Sequence, residues 1–310
     1  MIETPRSPSL PGRRAHGSVS PARSKTYALV RRRVLDALVY LLLGAGAAAV
    51  ILPFAYMVAS SLETIAQIGS LTPQFWPDPP QWSNYAQVWQ SLPIARYFFN
   101  SLIVAVAVTG GQLLTASLAA YAFARLRFRG RSVLFALYLG TLIIPSQVTL
   151  IPNYILIRLL HWHNSYEGLI FPFVVSVFST FLLRQFFMTI PAELEDAARI
   201  DGASHFAIYR LIILPLAKPA LAALVIFAFL GSWNNFLWPL VVVDTPNLVT
   251  VPLSIVTFQG QFTTQWNLLM ACATMALAPV LLVYLLAQRY FVEGIALTGR
   301  SGRSLAVSRQ

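Results

Sequence analysis

The 310 residues are 57% hydrophobic and 11% charged, with a mean hydropathy of +0.65, where a soluble domain carries about 25% charged residues. That balance excludes an ordinary soluble domain and marks an all-α polytopic membrane protein, while a single cysteine, Cys272, excludes a disulfide framework. The formal net charge of +11 would suit nucleic acid, but its distribution follows the membrane and excludes that partner.

Residues 1–33 are rich in Pro, Ser and Arg, ending in Arg31, Arg32 and Arg33, and read as a disordered basic tail that cannot bury enough apolar surface to offset ordering. An apolar run over residues 34–58 is long enough as a helix to cross a hydrocarbon core of about 30 Å. Ala45, Gly46 and Ala47 offer small side chains for signal-peptide cleavage, but the run continues well beyond them. Residues 60–97 are polar and turn-rich and carry Trp76, Trp82 and Trp89, aromatic residues suited to the headgroup interface. Further apolar runs cover residues 99–124, 133–156, 169–187, 216–243 and 268–291, which predicts six spans in one membrane domain over residues 34–294. Residues 295–310 form a C-terminal tail. Pro145, Pro152, Pro172 and Pro239 fall in or near these runs, where neighbouring helices can satisfy the freed carbonyls.

Six spans place both termini on one side, and the arginines say which. The N-terminal tail, the second-to-third loop (Arg125, Arg127, Arg129, Arg131), the fourth-to-fifth segment (Arg184, Arg199, Arg210, Lys218) and the C-terminal end hold all the basic residues but Arg96 and Arg158. The excess of Lys and Arg on cytoplasmic loops predicts that both termini and the fourth-to-fifth segment are cytoplasmic.

The spans are nearly empty of ionisable residues, which argues against a proton-driven secondary transporter; sodium coupling through backbone carbonyls stays open. A membrane-embedded lipid-linked transferase would need an interfacial acidic or His constellation, and apart from the fourth-to-fifth segment the loops between the spans hold only scattered Glu63, Asp78, Glu167 and Asp244. Neither lysine, Lys25 or Lys218, lies in a Gly-rich phosphate-binding sequence, so any ATP is bound by another subunit. His161 and His163 lack neighbouring ligands for a metal and read as a solvated pair, and His205 as a surface residue.

Residues 191–221 gather charge in an otherwise apolar chain: Glu193, Glu195, Asp196 and Asp201 all fall there. Pro191 suits a first helical position, the acidic residues complement a helix N-terminus, and Glu195 and Arg199 stand i,i+4. Gly202 breaks that helix. Ser204 caps a second one, with Phe206, Ile208, Leu211 and Ile212 toward its apolar side, and Leu214-Pro215 ends it. Taken alone, the segment is a helix-turn-helix at the membrane surface, with Ala197, Ala198 and Ala203 permitting close approach of another backbone.

The spacing from Asp196-Ala197-Ala198 to Gly202, Ile212 and Leu214-Pro215 resembles the EAA motif of ABC-importer permease subunits, and the surrounding IDGA and LPLAKPAL strings resemble the maltose-type, carbohydrate-uptake branch. Asn100-Ser101-Leu102, the string from Ser117 to Ala122, Phe128-Arg129-Gly130-Arg131 and the string from Gln288 to Val292 agree, so the resemblance covers residues 34–298. It implies a bacterial or archaeal inner-membrane permease in which residues 193–212 form a coupling helix docked on a cytoplasmic ATPase. It also implies a second permease chain, two ATPases that bind ATP and Mg, and an extracytoplasmic solute-binding protein facing loops 60–97 and 244–267, with no cofactor on this chain. Glu195, Asp196, Ala197, Ala198, Gly202, Ile212, Leu214 and Pro215 would form the coupling element. The chain has Asp196 where the family commonly has Glu, which leaves open whether Asp196 or Glu195 meets the ATPase. On the fifth span, Trp233, Asn234, Asn235 and Trp238 offer hydroxyl-binding amides and stacking rings for a sugar, against the alternatives of interhelical bonding for Asn and interfacial placement for Trp.

Overall fold

In the computed structural model the described residues are 21–70, 75–260 and 263–307, with side chains described for 33–70, 75–260 and 263–286. Among them the chain is helical, apart from an isolated antiparallel bridge between Gln259 and Thr264. It divides into two units, Met1–Ala55 and Tyr56–Gln310. The first is represented by helix α1, Pro21–Ser60, whose apolar part, Arg33–Ser60, has a mean hydropathy of 2.2. Helix α1 begins inside the segment read as a basic tail, where Arg and Lys are good helix formers; residues 1–20 of that tail lie outside the described residues.

In the second unit the main helices are α2 (Ser83–Ser91), α3 (Ile94–Arg125), α4 (Arg131–Gly140), α5 (Leu150–Leu159), α6 (Val177–Thr189), α7 (Glu193–Ile200), α8 (His205–Ile208), α9 (Lys218–Trp233), α10 (Leu237–Val242) and α11 (Trp266–Val307). Helix α3 is the centre, packing against α6 and α9, while α9 packs on α11. Its buried residues recur at helical spacing through Tyr97, Ser101, Val104, Ala105, Val108, Ala116 and Ala120. The small ones let neighbouring helices close in. Its opposite face is apolar too, with Leu102, Val106 and Leu114 exposed, as lipid contact requires.

Among the described residues three helices have the length and apolarity to cross a membrane: Arg33–Ser60, Ile94–Arg125 and Trp266–Leu286. Two bent pairs pass the same test, Tyr166–Phe173 with Val177–Thr189 at 41° and His205–Leu216 with Lys218–Trp233 at 79°. The run at 133–156 is divided into the shorter helices Arg131–Ile143 and Leu150–Leu159, because Pro145 follows the first and cannot donate to its last carbonyls. The 216–243 run is likewise interrupted after Trp233.

Breaks inside a membrane leave backbone groups needing partners, and side chains of α3 supply them. Gln112 Nε2 donates to the Phe173 carbonyl at 2.9 Å and Thr115 Oγ1 to that of Val174 at 2.6 Å, across the bend before α6. Gly111 makes this approach feasible, since a Cβ there would sit 2.7 Å from Val174 Cγ1. At the other end of α3, Asn100 Nδ2 donates to the carbonyls of Asn247 and Val249 while its Oδ1 accepts from Tyr166 Oη, and Ser101 Oγ accepts from the Val251 amide. Nearby, Asn84 Nδ2 donates to the carbonyls of Ser61 and Glu63, and Asn267 Nδ2 to Asn84 Oδ1. Glu63 is buried, its Oε1 has no hydrogen-bond partner among the described residues, and burial pushes its carboxyl above the ordinary range.

Candidate functional site

The charged segment folds from local signals. Helix α7 opens at Glu193 with Glu193, Glu195 and Asp196 in its first turn and Arg199 in its last, both favourable for the helix dipole; Pro191 precedes the helix rather than entering it. It ends in a Schellman motif: Ala203 N donates to the Ala198 carbonyl and Gly202 N to that of Arg199, with Gly202 at φ +81°. Ser204 Oγ then accepts from the Ala207 amide and caps α8. The chain continues as a π-helical turn, Tyr209–Ile213, and a last helical piece, Leu214–Leu216. Pro215 sits at the start of that piece, so the Leu-Pro pair is inside the helical stretch, and the turn comes two residues later at Ala217.

This segment is held to the membrane helices at its core side. Ile208, Tyr209, Ile213 and Ala217 are buried with Ala116, Ala120, Tyr121 of α3 and Leu183, Phe187 of α6. Tyr209 Oη and Ser117 Oγ are 2.7 Å apart. Of the four residues assigned to the apolar side, Ile208 is buried and Ile212 half-buried, whereas Phe206 and Leu211 are exposed. Phe206 stands two residues before the buried Ile208 and so on the opposite side of α8, and the π turn, with its wider period, carries Leu211 outward.

The two neighbouring carboxylates have opposite environments. Glu195 is buried, and its Oε1 lies 2.9 Å from Arg125 Nε, in ionic contact without hydrogen-bond alignment. Arg125, at the end of α3, also donates from Nη2 to the carbonyls of Phe187 and Ile190, and so closes the C-terminal end of α6. Asp196 points outward, its side chain 67% exposed, and its ion pair with Arg199 is loose at 3.5 Å. Asp196, Ala197, Ile200 and Phe206 are all exposed, and Ala198 is half-buried. Sequence reasoning did not find Arg125 or Tyr209; the first is the opening arginine of an alternating run, with no local mark separating it from Arg127.

The second predicted group separates. Trp233 is buried, stacks on Phe229 and donates from Nε1 to the Ala276 carbonyl at 3.2 Å. Trp238 is buried and donates from Nε1 to the Gly168 carbonyl at 2.9 Å. These rings hold helices together. Asn234 is exposed at the end of α9, and Asn235 accepts the Trp238 amide with Oδ1. Asn235 borders a cavity of about 260 Å³ whose other polar borders are Gln112, Ser176, Ser179 and Ser232. No charged side chain lines it, and Phe173, Phe178 and Phe227 supply apolar walls. Gln112, Ser179 and Ser232 were legible only as lone polar residues in apolar runs. His163 lies 3.5 Å from Asp244, and among the described residues there is no group of His, Cys, Asp or Glu able to hold a metal.

The chain is 37% identical, over 85% of its length and 97% of the relative's, to the sn-glycerol-3-phosphate transport system permease protein UgpE of Pectobacterium atrosepticum. It is 36% identical to the arabinooligosaccharides transport system permease protein AraQ of Bacillus subtilis, over 67% of this chain and 74% of that one. The fold resembles a chain of a bacterial ABC transporter involved in the import of the acidic polysaccharide alginate, with a TM-score of 0.73, 24% identity, and coverage of 84% of this chain and 97% of that one. Residues 111–296 match the family described as binding-protein-dependent transport system inner membrane component. The chain belongs to that family and is an inner-membrane permease subunit of a binding-protein-dependent importer.

Proposed function

We propose that this permease moves a sugar or oligosaccharide, and that residues 193–212 couple it to ATP hydrolysis on separate subunits. The observation that carries the coupling role is the division of labour on α7: Glu195 turns inward to Arg125, leaving Asp196, the small Ala197 and Ile200 exposed on one face. A small side chain permits close docking, and a solvated carboxylate is available to a basic residue of an ATPase. Asp196 is thus the carboxylate that meets the partner, and Glu195 the one that holds the segment. Ala198, Gly202, Ile212, Leu214 and Pro215 support that surface, and the 79° bend at Ala217 turns displacement of the segment into movement of α9.

The remaining assembly follows the family: a second permease, two ATPases carrying ATP and Mg, and a solute-binding protein meeting loops 60–97 and 244–267. Six spans result when each bent pair counts as one and α4 with α5 forms the third, and the arginine distribution then supports cytoplasmic termini. The solute path runs by Asn235, with Asn234 near it and Trp233 and Trp238 setting the frame. An uncharged border of amide, hydroxyl and phenyl groups suits a neutral hydroxylated solute, as arabino-oligosaccharides are in the relative named for them.

The test is ATP-dependent uptake in reconstituted vesicles. Ala197→Trp should abolish uptake and ATPase retention while the permease still inserts, and unaltered coupled uptake would count against the coupling role. Asn235→Ala and Gln112→Ala should change solute affinity and selectivity with ATPase retention intact.

A further inference from the structure

We infer that the arginine-lined cleft beside α7 binds the headgroup of an anionic phospholipid, with the acyl chains lying along the exposed face of α4. The cleft has a volume of about 390 Å³ and is lined by Arg125, Leu126, Arg127, Phe128, Arg199 and His205. Across Arg127 and Phe128 it continues into a second recess of about 450 Å³ bordered by Gly130, Arg131 and Val133.

Its positive charge is only partly answered among the described residues. Glu195 is shared between Arg125 and Arg199, and Asp196 reaches only Arg199. Arg127 makes no hydrogen bond or ion pair among the described residues, and Arg131 donates from Nη1 only to the Leu126 carbonyl. Guanidinium groups with free donors match phosphate oxygens. What distinguishes a lipid from a soluble anion is the wall leading away from the cleft. Phe128 is 41% exposed, and Val133, Leu134 and Leu137 follow on one face of α4, each more than half exposed. Over Arg131–Ile143 that apolar stretch reaches about 20 Å at roughly 1.5 Å per residue, enough to run beside an acyl chain. A basic recess opening onto an apolar helix face is the shape of a headgroup site.

The cleft borders the proposed coupling segment at Arg199 and His205, and its test reads lipid rather than transport. The intact complex in mild detergent is offered phosphatidylglycerol and phosphatidylcholine of one acyl composition, and retained lipid is counted by native mass spectrometry. Phosphatidylglycerol should be retained preferentially, and Arg127→Ala should cut its retention about five-fold, the worth of one basic residue near a lipid surface. Arg129→Ala removes the same charge from the same loop outside the cleft, and should leave retention unchanged. No preference between the lipids, or equal losses from the two variants, would overturn the inference. So would displacement of the lipid by inorganic phosphate, which marks a soluble-anion site. Retained lipid with loss of the ATPase from Arg127→Ala would instead assign the cleft to an acidic protein segment.

Discussion

Replacing the two adjacent carboxylates one at a time separates structure from coupling. The side chains of Glu195 and Arg125 are 4% and 11% exposed, so the scale for a buried pair applies: removing one partner costs about 3–5 kcal/mol. Arg125 keeps its two carbonyl partners in Glu195→Gln, which puts the loss near the lower bound, about 3 kcal/mol. The second pairing of Glu195, to Arg199 at 3.5 Å with Arg199 43% exposed, adds little after solvent screening. Asp196 is a surface group, and Asp196→Asn should change stability by no more than roughly 0.5 kcal/mol yet lose ATPase retention and uptake. The assay is the thermal unfolding midpoint of the detergent-solubilised permease beside uptake in vesicles. Adding Arg125→Gln to Glu195→Gln should reveal a coupling energy of about 1–3 kcal/mol. An unchanged midpoint for Glu195→Gln together with a lowered one for Asp196→Asn would refute the assignment of inward and outward carboxylates.

Other expectations follow from the same geometry. At Gly202 a Cβ meets no atom within 4 Å, so Gly202→Val should cost only the left-handed backbone strain, about 1–2 kcal/mol, with Gly202→Asn milder; melting of the two variants checks the order. Trp238→Phe removes the bond to the Gly168 carbonyl and should lower stability by about 1 kcal/mol while leaving solute selectivity alone in competition uptake. Burial raises the Glu63 carboxyl, so the folded state holds its proton more tightly than the unfolded state. Its contribution is fully present below the unfolded carboxyl range and is lost as pH rises through the folded value. Glu63→Gln should therefore flatten the pH dependence of melting across that window and raise stability at neutral pH. Gly168→Ala would bring a Cβ to 2.2 Å from the Trp162 carbonyl and should destabilise by about 1–3 kcal/mol, seen as loss of folded permease after extraction.

The parts of the charged segment that were legible in sequence are those written in neighbouring residues. Acidic groups at one helix start, a glycine with positive φ and a serine cap are each decided within a turn of chain, and they produced α7, Gly202 and Ser204 as read. The π turn was not legible, since nothing in YRLII distinguishes a wider turn from an ordinary one; it carries Leu211 outward, while Phe206 is exposed by the ordinary helical spacing from Ile208. Arg125 was hidden for another reason. Its partner lies 70 positions away, and four arginines alternate through the loop with identical chemistry, so only the packing of α3 against α6 selects one to turn inward. Trp233 and Trp238 looked equally suited to stacking on a solute or to packing, and their indole donors settled on backbone carbonyls instead. The divided run around Pro145 shows that hydropathy counts apolar residues without seeing where the chain stops being helical.

Helix α3 resembles a shaft carried in two bearings. Its 32 residues extend about 48 Å at roughly 1.5 Å per residue, and directional bonds hold it near both ends. At one end Asn100 gathers Asn247, Val249 and Tyr166, and at the other Arg125 gathers Phe187, Ile190 and Glu195. Between them Gln112 and Thr115 hold the bend before α6 and Ser117 meets Tyr209, while alanines and valines add contacts with no preferred direction. A displacement at Arg125 should therefore be shared with the bend before α6 and with the Tyr209 turn before it reaches Asn100 and the loop bearing Asn247.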